Sequence, residues 1–515
     1  MNEKTVGIVG SGTMGAGIAE VAVLAGYSVY LFDANTIASE NAANTVRQNL
    51  QRQVEKKRLS SDQANRAIER LRTVDGLEPF SEVALVIEAI VEDLESKQQL
   101  FGVIEKIVSP QAILATNTSS LSITAIAAGV KKPERVIGMH FFNPAPRMDL
   151  VEVVRGLATD PVVVDGVCSI AKAWGKTPVR VQSRPGFIVN RVARPFYGEA
   201  LRLLSEQVSD PATIDAVIRE AGGFRMGPFE LMDLIGHDVN FAVTQSVFRA
   251  FSYDPRYTPS LVQEELIRAG FLGRKSGRGF YEYRGDPEKP SPQTEPRAEY
   301  PKRIVPVECD SMVQPLVTRL MAARSASFNL WRSSLPGLLV ETDNATVWLT
   351  DGRTATERAA ESELDNTVLV DLALDYEQAK RIALAKADQC SESAYHEVVG
   401  LFQAAGFDVS RVDDVAGMIV MRTVACIVNE AADTVNQGVC TIEALDLAMQ
   451  KGVNYPLGPF AWADRIGFKI LHEVLTNLSY HYGEDRYRIS PLIRRMLWRK
   501  IESHAPVTES PSSGE

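Results

Sequence analysis

The stretch Val6–Glu20, VGIVGSGTMGAGIAE, decides how the first third of this chain folds. A strand-like apolar run ends at Val9 and passes directly into Gly10, Gly12 and Gly15, in G-x-G-x-x-G spacing, with a helical pattern behind them. The first glycine permits a tight turn, the second lets backbone approach a pyrophosphate, and the third lets the helix pack on the strand. The free N–H groups of the helix's first turn then face that space. Spacing alone is weak evidence, since a glycine-rich turn can bind nothing. Here a second strand-like run, SVYLFD, ends on Asp33, eighteen positions after Gly15. A carboxylate there binds both ribose hydroxyls and repels a 2′-phosphate, so the stretch predicts a site for NAD rather than NADP.

Working outward, KTVGIVG, SVYLFD, VALVIEAI, AILATNTSS, RVIGMHFF, LVEVV and TPVRVQ read as strands separated by helical patterns. Continuous apolar runs of this kind predict a mostly parallel sheet covered on both faces, an α/β Rossmann-like domain over residues 1–183. Residues 36–72 are polar and helical and predict a hairpin projecting from the sheet. Residues 184–283 read as an all-helical domain, 284–303 as a proline-rich linker, and 304–408 as a small α/β segment without a glycine loop. Residues 409–502 follow as a second helical copy, and 503–515 as a disordered tail.

The second copy rests on an internal repeat. Gly175, Gly186, Arg191, Glu199, Asp215 and Asp233 match Gly406, Gly417, Arg422, Glu430, Asp446 and Asp464, and GPF recurs at 227–229 and 458–460. Every pair is 231 apart (417 − 186, 458 − 227), which points to a duplicated domain. Asn190 of the first copy is Met421 in the second. The repeat predicts one active site per chain, with the copies packing as an intrachain pseudo-dimer; a homodimer is the alternative.

The net charge of −10 argues against general nucleic-acid binding, which needs a basic face. Five dispersed cysteines lack any metal-ligand spacing and predict reduced thiols in a cytoplasmic protein with no metal. No run of about 18 apolar residues predicts a membrane span, and the N-terminus lacks the pattern of a signal peptide.

A second stretch, GMHFFNPAPRMDLVE (138–152), holds one of only six histidines. His140 closes a strand-like run, and Glu152 lies twelve positions on, in the next. One reading is a buried strand-end histidine beside an unrelated acid. The other is a general base titrating in the useful range, with a carboxylate that fixes its tautomer; a reversal through NPAPRMD would bring them together. Ser119 reads either as a helix cap or as a hydrogen-bonding group for substrate. Asn190 reads as a turn residue or a polar partner, and Lys275 in GRKSGRG as a solvated turn or a phosphate contact.

TNTSS (116–120), HFFNPAP (140–146), LVEVV (150–154), PGFIVNR (185–191), GPFELMDLIG (227–236) and GRKSGRGFYEY (273–283) occur in this order. With them the sequence resembles the 3-hydroxyacyl-CoA dehydrogenase family over nearly all of residues 1–283. The longer layout resembles the bacterial branch acting on 3-hydroxyadipyl-CoA or 3-hydroxybutyryl-CoA, in phenylacetate breakdown or β-oxidation-like pathways. The resemblance implies reversible NAD-dependent oxidation of an L-3-hydroxyacyl-CoA to the 3-ketoacyl-CoA. It implies that His140 is catalytic with Glu152, that Ser119 contacts substrate and cofactor, and that Asn190 sits at the junction of the site. It further implies NAD contacts at Asp33, Glu92, Lys97, Asn143 and Lys275, and a coenzyme A contact at Lys56. Without it, Glu92 and Lys97 read as surface helix residues. Arg147 and Asp149 stand where an apolar residue and a lysine are expected, and Arg225 where proline is common. Either arginine could pair with an ω-carboxylate of the substrate or simply be solvated. The rival functions are a dehydrogenase of a free hydroxy acid in the same superfamily and a nucleotide-binding protein without turnover.

Overall fold

The computed structural model describes residues 4–285, 287–323, 330–333 and 335–499; the tail expected over 503–515 lies outside the described residues. The chain forms two compact units, Met1–Arg191 with Gln437–Val453, and Val192–Asn436 with Asn454–Glu515.

The first unit is built from β1 (Thr5–Val9), α1 (Thr13–Leu24), β2 (Ser28–Phe32), α2 (Thr36–Glu55), α3 (Ser61–Glu69), β3 (Leu71–Val74), β4 (Leu85–Glu88), α4 (Leu94–Ile104), β5 (Ile113–Thr116), α5 (Ile123–Ala127), β6 (Val136–Phe141), β7 (Leu150–Arg155), α6 (Pro161–Ala173) and β8 (Thr177–Gln182). The eight strands form one sheet in the order β3-β2-β1-β4-β5-β6-β7-β8. β1, β4 and β6 are buried along their whole length, as strands covered on both faces must be, whereas β3 and β8 at the edges carry exposed positions. All pairings are parallel except β6 with β7. Residues 142–149 are too few for a crossover, so β7 must run back along β6.

The polar segment expected to be helical through residue 72 stops at Glu69, and Leu71–Val74 is an edge strand parallel to β2. Four residues are too short for an alternating pattern to show. α2 and α3 are fixed at their starts by Asn35, which accepts from Ile37 and Ala38, and by a capping box between Ser60 and Gln63. α2 does not simply project. Ala42, Ala43, Val46 and Leu50 are buried, and Asn49 and Gln53 donate to Glu20 of α1.

The second unit holds the helices Arg194–Ser205, Pro211–Glu220, Pro228–Ile235 and His237–Ala250, then a six-stranded mixed sheet. Its strands are β9 (Val305–Pro306), β10 (Leu338–Glu341), β11 (Thr346–Leu349), β12 (Thr367–Val370), β13 (Arg381–Lys386) and β14 (Asp408–Arg411). The boundary expected at 408 therefore falls at the start of a strand. Helices Val420–Asn436, Pro459–Ile466, Phe468–Tyr482 and Pro491–Arg499 complete the unit. The proline-rich linker is tied down by Gln293 N to Thr213 Oγ1 at 2.8 Å, Glu295 N to Val409 O at 2.8 Å and Ala298 N to Gln403 Oε1 at 2.9 Å.

The 231-residue offset reaches further back than the sequence alone revealed. It places β7 on β13 end to end and starts β12 and β14 where β6 and β8 start. Phe187 and Met418, also 231 apart, share the left-handed backbone, with φ of 48° and 53°. Within the second unit the helical copies clasp each other reciprocally. Tyr257 donates to Glu430 at 2.6 Å and Arg256 pairs with it at 3.2 Å, while Tyr487 donates to Glu199 at 2.9 Å and Arg422 pairs with it at 2.8 Å.

Candidate active site

The glycine loop joins β1 to α1. Gly10 has φ +98°, and a Cβ there would lie 2.4 Å from Ala89 O; at Gly15 it would lie 1.8 Å from Gly10 O. A Cβ on Gly12 would meet nothing within 4 Å. Two of the glycines are therefore required by the fold, and the third keeps a cradle open at the start of α1. Asp33 closes one side of it. Its Oδ2 accepts from Ser11 N at 2.8 Å and Ser11 Oγ at 2.7 Å, and its Oδ1 from Asn35 N at 2.9 Å. Burial pushes the Asp33 carboxyl up, but these hydrogen bonds outweigh it and hold it below the usual range. An open cradle, free helix-terminal N–H groups and a charged acid at the end of β2 fit NAD.

The antiparallel pairing sets His140 of β6 directly opposite Glu152 of β7. His140 Nδ1 lies 2.7 Å from Glu152 Oε2, and both side chains are buried. Glu152 Oε1 accepts from Ile188 N at 2.9 Å and Val189 N at 3.1 Å, so the same carboxylate anchors the chain where it turns into the next helix. Phe142 and Phe187 flank the imidazole, with ring centroids at 4.5 and 5.9 Å. A carboxylate only accepts, so Nδ1 carries the proton and Nε2 presents its lone pair. Nε2 has no protein partner among the described residues.

Ser119 lies in the loop after β5. Asn190 Nδ2 reaches its carbonyl oxygen at 3.4 Å. Its N–H donates to Glu92 Oε1 at 3.0 Å, and the same oxygen accepts from Thr118 Oγ1 at 2.5 Å and Ser120 Oγ at 2.9 Å. The Ser119 hydroxyl itself has no protein partner among the described residues. Behind the loop, Lys97 is 1% exposed and bridges Glu88 Oε1 at 2.5 Å and Glu92 Oε2 at 3.3 Å. Burial pushes the Glu92 carboxyl up, and the Thr118 hydroxyl, the Lys97 charge and the loop donors more than reverse this. Lys97 is thus a buried brace that reaches the partly exposed Glu92, not a residue of a solvated helix face. Glu88, fully buried and also bonded by Thr116 Oγ1 at 2.6 Å, was not singled out in the sequence. An acid interrupting the apolar run ALVIEAI was the available signal.

The remaining candidates form no part of this hydrogen-bonded cluster. Asn143 is exposed at the start of the β6–β7 connection, where its bond to Pro144 is cis. Lys56 caps α2 and is exposed. Lys275 belongs to the second unit, where its Nζ pairs with Asp238 at 2.5 Å. Arg225 donates to Asn454 Oδ1 at 3.2 Å. Arg147 is exposed, and its charge acts on the buried Glu20 of α1, whose carboxyl is pushed up by burial and drawn back by Asn49, Gln53 and Arg147.

Residues 5–184 match the family model described as the 3-hydroxyacyl-CoA dehydrogenase NAD binding domain, and 186–283 and 417–501 match its C-terminal domain. The chain is 44% identical to the 3-hydroxyadipyl-CoA dehydrogenase of Escherichia coli K12 over 96% of its own length and 98% of that protein's. The chain belongs to the 3-hydroxyacyl-CoA dehydrogenase family. Among solved structures it is similar to a 3-hydroxybutyryl-CoA dehydrogenase from E. coli K12, at TM-score 0.88 and 42% identity over 98% of this chain and 99% of that one. A probable 3-hydroxybutyryl-CoA dehydrogenase of Bacillus subtilis is 40% identical over 55% of this chain and 98% of its own. Residues 347–415 match a 3-hydroxybutyryl-CoA dehydrogenase reduced Rossmann-fold domain.

Within that reduced domain the His140–Glu152 pair has no counterpart. At the 231 offset, His140 becomes Asp371 and Glu152 becomes Ala383. Asp371 Oδ2 accepts from Ile419 N at 3.1 Å and Val420 N at 2.7 Å, the counterparts of Ile188 and Val189. A carboxylate again anchors the helix, here from the position that corresponds to His140, one residue past the end of β12. Burial pushes the Asp371 carboxyl up to about 6, against the pull of its backbone donors.

Proposed function

We propose that His140 is the general base of an NAD-dependent L-3-hydroxyacyl-CoA dehydrogenase, with Glu152 as its orienting partner. The carrying observation is the 2.7 Å contact of Nδ1 with Glu152, which leaves Nε2 as the open, basic nitrogen. Bound at the glycine loop and Asp33, NAD supplies the hydride acceptor. Nε2 of His140 takes the proton of the substrate's 3-hydroxyl, a step typically worth about 10²–10⁴ in rate. Glu152 then stabilises the imidazolium. The unpartnered Ser119 hydroxyl and Asn190, which holds the Ser119 carbonyl, face the substrate oxygen as neutral hydrogen-bonding groups. In the reverse direction the imidazolium returns the proton.

The substrates named for the relatives are 3-hydroxyadipyl-CoA and 3-hydroxybutyryl-CoA, and one of these short or dicarboxylic acyl-CoAs is the proposed substrate. Lys56 is the proposed coenzyme A contact, and Asn143 and Lys275 the further NAD contacts. The cytoplasm is the proposed compartment, supported by five unpaired cysteines. The reciprocal clasp between helical copies supports an intrachain pseudo-dimer in place of a dimer of shorter chains. NADH formation is measured with 3-hydroxybutyryl-, 3-hydroxyhexanoyl- and 3-hydroxyadipyl-CoA and with free 3-hydroxy acids, in wild type, His140→Gln and Arg147→Ala. Turnover of the CoA thioesters that collapses in His140→Gln is expected. Faster turnover of a free acid, or full activity in His140→Gln, overturns the assignment. A loss confined to 3-hydroxyadipyl-CoA in Arg147→Ala makes Arg147 the reader of the ω-carboxylate.

A further inference from the structure

We propose that the helix Ile442–Val453, part of the second copy in sequence, positions the catalytic pair of the first, and that Gly452 is the residue through which it does so. The segment Gln437–Val453 belongs to the unit that holds His140 and Glu152. It packs along β7 and β8. Val439 O accepts from Gln182 N at 2.8 Å, Gln437 Oε1 from Arg191 Nη1 at 2.9 Å, and Lys451 Nζ pairs with Asp149 Oδ2 at 3.4 Å.

Gly452 is the penultimate residue of the helix and is not among the glycines with positive φ, so no left-handed turn calls for a glycine there. Its purpose is close approach. A Cβ at 452 would lie 2.7 Å from Leu150 Cδ2 and 3.0 Å from Val189 Cγ2. Leu150 is fully buried, two residues before Glu152 on β7, and so shares its face of the sheet. Val189 supplies one of the two N–H groups that hold Glu152 Oε1. A methyl group at 452 is thus driven between the two residues that flank the anchor of the orienting carboxylate. At the mouth of the segment, burial and the nearby charge of Glu152 push the Cys440 thiol up to about 12.

The corresponding contact of the first copy differs. Residue 221, 231 positions before Gly452, is alanine, and the counterparts of Leu150 and Val189 are Arg381 and Val420. The charges are reversed as well. Asp149 faces Lys451, whereas their counterparts are Lys380 and Glu220, with Lys380 N donating to Glu220 O at 3.4 Å and Arg381 pairing with the Glu220 carboxylate at 3.0 Å. Asp149, unexpected in the sequence, has its match in Lys451. The glycine and the reversed charges mark a contact specialised for backing the live site.

The inference rests on His140 and Glu152 being the proton-transfer pair. Full-length Gly452→Ala is expected to lower kcat by about 10- to 100-fold, the scale of a small misplacement of catalytic groups. NAD affinity, read by fluorescence titration, and substrate KM stay unchanged. Adding Leu150→Val removes the methyl group nearest the new Cβ and restores kcat to within about threefold of Leu150→Val alone. Wild-type kcat in Gly452→Ala overturns the proposal. So does a loss that Leu150→Val fails to relieve, including the case in which Gly452→Ala alone does not fold. An active His140→Gln enzyme refutes the assignment of the base instead, which separates the two failures.

Discussion

Replacing Glu152 by glutamine tests the proposed catalytic pair without changing its shape. The carboxylate serves two masters: Oε2 faces His140 Nδ1 at 2.7 Å, and Oε1 accepts from the N–H groups of Ile188 and Val189. An amide has one acceptor end and one donor end. If its NH₂ faces the backbone, two buried N–H groups lose their acceptor, at about 1–3 kcal/mol each, or about 2–6 kcal/mol in all. If its oxygen faces the backbone, only the imidazole must adapt, moving its proton from Nδ1 to Nε2. The second arrangement is the less costly, so Glu152→Gln should melt within a few degrees of wild type. The price falls on chemistry, because Nε2 is then protonated and cannot act as base. The expected kcat is lower by about 10⁴, the size of the loss when the tautomer-fixing carboxylate of a hydrolase triad becomes an amide. Steady-state NADH formation beside a thermal melt gives both numbers. A Glu152→Gln enzyme within about tenfold of wild-type kcat would refute the tautomer argument.

Gly12→Ala should weaken NAD binding by about tenfold or more at unchanged Tm, because its Cβ enters only the open cradle, while Gly15→Ala should lower Tm because its Cβ meets Gly10 O at 1.8 Å; titration and melts that give both variants the same profile would count against the fit of NAD. Glu206, bonded to Arg422 and Tyr482, is pushed up by burial but held below its usual pKa of 4.5 by these partners, so its stabilising contribution is present above that pH and is lost as pH falls through the lowered value. Thermal midpoints taken from neutral to acid pH should fall less steeply in Glu206→Gln, and an unchanged slope would remove Glu206 from the acid response. A chain ending after residue 303 would strip Glu199 of Arg422, Arg486 and Tyr487 and should aggregate or dimerise on a light-scattering column; a stable, fully active monomer would contradict the pseudo-dimer.

The parts of this enzyme that follow a local pattern are legible in the amino-acid sequence. The glycine loop with Asp33, the apolar strands and the gapless 231-residue repeat all declare themselves over short windows. The His140–Glu152 pair is visible because an eight-residue connection forces one strand back along the other. What escapes is short or remote. β3 spans four residues between polar helices. Glu88 looks like the ragged end of a strand, and the Lys97 brace needs the fold to bring β4, α4 and the loop after β5 together. The backbone donors that hold Glu152 lie 36 and 37 residues beyond it. That a helix at 442–453 backs the catalytic strand is a tertiary fact that no periodicity encodes.

The anchoring carboxylate at Asp371 bears on how relatives of this chain should be read. The second copy carries an acid under the same turn but no histidine, and that acid follows β12, the counterpart of β6, instead of standing on the counterpart of β7. The anchoring role and the proposed proton-transfer role are thus separable at one spot. An acid beneath that helix testifies only to a sound scaffold; on the proposed assignment, it is the imidazole that marks a working centre.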